Sequence, residues 1–102
     1  MITAVFSRAD GRYVSFEVSG HSGLADSGSD ILCAAVSGAT ELAANLISGE
    51  TSVDEDTAKV SVLIPHPDDI SDRVVDVFKQ QLSAYSEEYP KNIRIFEQES
   101  VL

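Results

Sequence analysis

The dipeptide Asp10-Gly11 stands between two runs that alternate apolar and polar residues, Ile2-Thr3-Ala4-Val5-Phe6 and Tyr13-Val14-Ser15-Phe16-Glu17-Val18. Asp-Gly between period-two runs is a strong hairpin signal, so the chain is expected to open with two antiparallel strands. In the second run Val14, Phe16 and Val18 fall on one face and Tyr13, Ser15, Glu17 and Ser19 on the other. That is the pattern of a strand with one buried face.

The pattern then changes twice. Residues 20–29 hold Gly20, Gly23 and Gly28 with Ser22, Ser27 and Ser29, and read as a mobile surface loop. From Ile31 to Ile47 the apolar residues Leu32, Val36, Ala39, Leu42 and Leu46 recur at spacings of three and four, which predicts a helix ended by Gly49. Thr51-Ser52-Val53 and Ala58 to Ile64 form a second hairpin pattern around Asp54-Glu55-Asp56, with Val60, Val62 and Ile64 inward. Pro65-His66-Pro67 stops the strand. A second helix is expected from about Ile70, capped by Asp68 or Asp69, with a stripe of Val74, Phe78, Leu82, Tyr85 and Tyr89 and a stop at Pro90. Residues 92–97 read as a last strand.

The order ββαββαβ, with two amphipathic helices, predicts an α+β two-layer sandwich: two helices packed on one face of a largely antiparallel sheet. Residues 1–102 are one domain, since a chain of this length builds a single core. On the other sheet face these registers place Val5, Tyr13, Leu63 and Phe96, a patch fit for a homodimer interface.

Seven basic against seventeen acidic residues give a formal charge of −10, which repels nucleic-acid phosphates and excludes direct nucleic-acid binding as an expectation. The same charge keeps a protein soluble and attracts basic polypeptides, and by itself does not choose between these roles. No apolar run approaches the length of a membrane span. With one cysteine and no signal-peptide pattern, the expected compartment is the cytoplasm.

That cysteine, Cys33, follows the glycine-serine loop and Asp30, and so falls in the first turn of the expected helix. Unsatisfied N–H groups and partial positive charge at a helix N-terminus favour a thiolate, and a nearby imidazolium favours it further. A cysteine nucleophile also needs a proton donor for the leaving amine, and His21 is placed to supply it, with first-turn amides for the oxyanion. Against this stands the ordinary role of a free cysteine as a small buried hydrophobe. Asp30 reads as the helix N-cap, with orientation of His21 as the alternative. Ser37, one turn after Cys33, either hydrogen-bonds the sulfur or bonds a backbone carbonyl. His66 between its prolines reads as solvated. His21, Cys33, His66 and Asp26 are conceivable zinc ligands, yet neither Cys-x-x-Cys nor His-x-x-x-His spacing is present, and no glycine run leads into Gly-Lys-Ser/Thr. No metal and no cofactor is expected. Gly20, Ser22, Gly23 and Gly28 make the loop a candidate lid that carries His21 over an extended peptide.

The run Gly20-His21, the loop, and then Asp30-Ile31-Leu32-Cys33-Ala34-Ala35-Val36-Ser37 resembles the signature of the ribosomal-processing cysteine proteases, the Prp family of Gram-positive and related bacteria. Chain length and element order agree with that family. The resemblance implies a homodimeric endopeptidase whose substrate is a ribosomal-protein precursor, the twenty-seventh protein of the bacterial large subunit. A short N-terminal extension is removed by a cut after an aromatic residue. It places the catalytic Cys on Cys33 and the catalytic His on His21, and the family's neighbouring Asp and Ser on Asp30 and Ser37. Ser22 departs from the Ala usual after Gly-His in this family. A reading from another class is a non-catalytic ribosome-assembly module that holds a basic ribosomal-protein peptide on its acidic surface.

Overall fold

The computed structural model describes residues 1–21 and 30–100. Its elements run β1 (Ile2–Ala9), β2 (Arg12–Ser19), α1 (Ile31–Leu46), β3 (Glu50–Asp54), β4 (Lys59–Leu63), α2 (Asp69–Glu88) and β5 (Ile93–Glu99). This is the expected ββαββαβ order. The five strands form one sheet in the order β3-β4-β2-β1-β5, antiparallel throughout except that β5 runs parallel to β1. The helices pack on one face of it, so the α+β two-layer reading holds.

Asp10 and Gly11 both adopt positive φ, 53° and 79°, the geometry that lets two residues reverse a twisted strand pair. Below this turn the register slips. Arg8 pairs with Tyr13 but Ser7 pairs with Ser15, leaving Val14 as an extra residue in β2. A bulge of this kind reverses the alternation beyond it. Tyr13 is therefore not on the open face with Ser15 and Glu17, as simple alternation predicts, but on the helix face, where it is fully buried. The open face keeps Val5, Leu63 and Phe96 and loses Tyr13. Phe96 lies beside Val5, whereas Leu63 sits across Ser15 on β4.

The core is formed by Ile2, Ala4, Phe6, Phe16, Val18, Val62, Ile64 and Ile93 of the sheet layer against Leu32, Val36, Val75, Phe78 and Leu82 of the helices. Phe78 brings its ring to 5.7 Å from Phe6 and 5.1 Å from Phe16, centroid to centroid, tilted as aromatic pairs prefer. The α2 start is a capping box. Asp68 Oδ1 accepts from the Ser71 N–H at 2.8 Å, and Ser71 Oγ accepts from the Asp68 N–H at 2.9 Å. The helix ends at Glu88, just ahead of Pro90.

Helix α1 is rotated relative to the expected stripe. It buries Leu32, Val36, Thr40 and Ala43, followed by Ile47, while Leu42 and Leu46 are 62% and 59% exposed. Leu42 and Leu46 are thereby turned toward α2, where they line a groove with Val74 and Val77. Thr40 tolerates burial because its hydroxyl donates to the Val36 carbonyl at 2.7 Å.

The far ends of β1, β2 and β5 are tied to α2 by polar groups. Tyr13 Oη donates to Asp76 Oδ1 and accepts from Arg8 Nη2, each at 2.7 Å, and the Arg8 guanidinium lies 3.9 Å above the Tyr13 ring. Glu97 takes Arg8 Nε at 2.8 Å and Lys79 Nζ at 2.9 Å. Burial, and then the bond to Asp76, push the Tyr13 phenol above its ordinary range. Hydrogen bonds from Arg8 first and Lys79 second hold the Glu97 carboxyl below its own range. At the hairpin turn, Arg12 pairs with Asp69 at 2.7 Å and Asp72 at 2.9 Å.

Candidate active site

Gly20 ends β2 and redirects the chain. Its φ is +88°, its N–H donates to the Ala58 carbonyl at 3.1 Å, and a Cβ placed on it would lie 2.2 Å from the carbonyl oxygen of Met1. Only glycine fits a backbone approach that close. His21 follows at once; its carbonyl accepts from the Met1 amino group, and the residue is exposed. The local path of His21 is thus set by Gly20 against the start of β1.

Across the cleft the sequence builds a helix start. Asp30 is buried in an extended conformation, its Oδ1 accepting the Cys33 N–H at 3.0 Å and its carbonyl accepting the Ala34 N–H at 3.2 Å. This is an N-cap, and it fixes the first helical turn, of which Cys33 is the third residue. Cys33 is half-buried and packs against the core on one side. On the other it borders a cleft of about 440 Å³.

The cleft lies between α1 and the β3–β4 side of the sheet. Cys33, Ser37, Glu41 and Asn45 follow one another at intervals of four along its α1 wall, with Val36, Thr40 and Ala44 beside them. Ile2, Val18, Val53 and Val60 from the strands give it mostly apolar walls, and Gly20 and Ala58 line it as well. Cys33, Ser37 and Gly20 are thus brought to a single concave surface. His21 is adjacent to Gly20 but is not itself a wall of the cleft. Asp30 stands behind Cys33 as the cap. His66 is exposed in the bend before α2 and takes no part in the cleft. Ser22, Gly23 and Gly28 of the expected lid, and Asp26, lie outside the described residues.

Among the described residues no three His, Cys, Asp or Glu side chains gather as a metal ion requires. No helix of the described residues is long and apolar enough to cross a membrane. Sequence reasoning singled out Cys33 and Ser37 but missed Glu41 and Asn45, although the same four-residue step leads to both. It also missed Thr51 and Val53, whose place at the cleft depends on β4 pairing with β2 rather than β1, a choice that no local pattern encodes.

Comparison with known proteins bears on this arrangement. The family model for cysteine protease Prp matches residues 1–94. No curated protein matches the chain by sequence. Among solved structures, the ribosomal processing protease Prp of Staphylococcus aureus with a covalently linked product peptide superposes with a TM-score of 0.83 at 22% identity, covering 95% of this chain and 99% of that one. The same Staphylococcus aureus protease with a substrate peptide gives 0.77 at 21% identity over 95% and 99%. SMU.848 from Streptococcus mutans gives 0.84 at 23% identity over 98% and 99%. These three share the fold of this chain.

Proposed function

The chain belongs to the cysteine protease Prp family, and from that premise we propose that it is the endopeptidase that removes the N-terminal extension of a ribosomal-protein precursor, the twenty-seventh protein of the bacterial large subunit, cutting after an aromatic residue. The observation that carries the reading is the position of Cys33: third residue of a capped helix, at the wall of a cleft of about 440 Å³ that is also lined by the glycine preceding His21. The structures similar in fold include a ribosomal processing protease with peptides bound, which supports a peptide substrate here as well.

In this reading Cys33 gives its thiol proton to His21, and its Sγ attacks the scissile carbonyl carbon as a C–S bond forms. The carbonyl oxygen takes up negative charge toward first-turn amides other than that of Cys33, which the Asp30 side chain holds. His21 gives a proton to the leaving amine as the C–N bond breaks, then takes one from water as the thioester is hydrolysed and the C–S bond opens. Asp30 holds the turn that presents the thiol, and Ser37 lies one turn further along the same wall. The apolar walls at Val18, Val36 and Val60 suit an aromatic side chain next to the cut. A formal charge of −10 draws in a basic ribosomal protein and opposes direct contact with RNA. The enzyme acts as a homodimer in the cytoplasm, with no metal or cofactor. Membership in a protease family favours turnover over the non-catalytic binding module.

The test is incubation with the host's precursor of that ribosomal protein, followed by the mass of the product. Wild-type protein shortens the precursor at one bond after an aromatic residue. Cys33→Ala loses cleavage by at least about 1,000-fold while keeping its circular dichroism and melting profile, and His21→Ala loses about 100-fold or more. Undiminished cleavage by Cys33→Ala would overturn the proposal. Sedimentation at micromolar concentration reads the dimer.

A further inference from the structure

Glu41 is the one charged side chain that lines the cleft among the described residues. It stands on the same helical edge as Cys33 and Ser37, is exposed, and makes no ion pair with any described residue. Ser37, Thr40, Ala44 and Asn45 flank it on α1, and Thr51, Val53 and Val60 of the strands line the same cleft. An exposed carboxylate lining a mostly apolar cleft, with no described cation paired to it, is complementary to a cation brought in by whatever fills the cleft.

We propose that Glu41 is a specificity-determining residue whose carboxylate pairs with a lysine or arginine of the bound peptide. The inference rests on the reading of Cys33 as the nucleophile in the same cleft. Spacing then fixes where the basic residue lies. Eight helical residues from Cys33 to Glu41 advance about 12 Å, and an extended peptide rises about 3.3 Å per residue, so the partner stands about three to four residues from the scissile bond. The carboxylate faces bulk water on one side, so its pair with lysine changes affinity by about fivefold and weakens with salt.

The test uses synthetic peptides with phenylalanine at the cut and a neutral background, carrying one lysine or one glutamine at each position from five residues before the cut to five after. Two quantities are read: kcat/KM with wild-type protein and Glu41→Gln, and Kd with Cys33→Ala and Cys33→Ala/Glu41→Gln. The expected result is a lysine-over-glutamine preference of about fivefold at one position three or four residues from the cut. It falls to about one in Glu41→Gln. An identical preference in wild type and Glu41→Gln, or one centred next to the cut, overturns the proposal. If wild-type protein cuts none of the peptides, the protease reading of this cleft fails, while the Kd series still reads whether lysine is favoured through Glu41. Equal Kd values across the series overturn the inference as well.

Discussion

The two ends of the β1–β2 pair are built on opposite principles. At the hairpin end, Arg8, Tyr13, Asp76, Glu97 and Lys79 satisfy one another, and the bulge at Val14 buries a phenol to make that possible. At the other end, Gly20, Cys33 and Glu41 border an open, mostly apolar cleft, and Glu41 is left without an ion partner among described residues. A hairpin fixed by charge-assisted bonds at one end can leave its other end open to a ligand. If the first region holds the fold and the second carries the proposed cleavage, substitutions in each should separate stability from turnover.

Gly20→Ala should have the largest effect, because it acts on both. The added Cβ would overlap the Met1 carbonyl oxygen at 2.2 Å in a backbone region that L-residues resist, at a cost of about 3 kcal/mol. The chain must shift at the residue that launches His21. Cleavage at a temperature where the variant is still folded should then fall by about tenfold or more. A wild-type melting curve together with wild-type cleavage would show that the close approach at Gly20 does not position the site.

Tyr13→Phe should come next and should move stability alone. It removes a hydroxyl that both donates to Asp76 and accepts from Arg8, leaving two charged groups without that partner, for a loss of about 2 kcal/mol in urea unfolding. Cleavage by the folded variant should match wild type. A parallel loss of turnover would break the division between the two ends.

Asp30→Ala tests the cap from the cleft side. Removing the acceptor of the Cys33 N–H should cost about 1 kcal/mol, and Asn, which keeps an acceptor oxygen, should recover most of it. If Asp30 also orients His21, Asn will restore the melt but not kcat, and the pH profile of cleavage will shift. Full recovery of both by Asn leaves the cap as the residue's role.

How much of this was legible in the sequence follows from how local each feature is. Asp10-Gly11, Asp68, Asp30 and Pro90 act on their own few residues, and each forms the turn, cap or stop that its chemistry dictates. The placement of Tyr13 was not legible, because one bulged residue reverses a period-two pattern without altering composition. Helix α1 offered two stripes, one through Leu42 and Leu46 and one through Thr40, Ala43 and Ile47. The choice between them rests on which stripe meets the core that the sheet and α2 complete, which is tertiary information. At the site, Cys33 and Ser37 could be placed on one helical edge from spacing alone. That Gly20 and Val53 border the same cleft depends on strand order.

The smallest predicted effect is on pH dependence, and it also belongs to the hairpin end. Because Arg8 and Lys79 hold the Glu97 carboxyl below its ordinary range, Glu97 contributes stability that is fully present above that range and is lost as pH falls through its lowered folded value. Tyr13 has the opposite sign. Its phenol is raised, so its contribution is complete below the ordinary phenol range and is lost as pH rises through the higher folded value. The Glu97 side chain is 39% exposed, and solvent screening keeps its share under about 1 kcal/mol. Glu97→Gln should therefore flatten the acid limb of a plot of melting temperature against pH, below about pH 4.5, without moving the alkaline limb. Tyr13→Phe should flatten the alkaline limb alone. An acid limb unchanged in Glu97→Gln would mean that the pairs with Arg8 and Lys79 carry no net stability, and that the hairpin end is held by Tyr13 and Asp76.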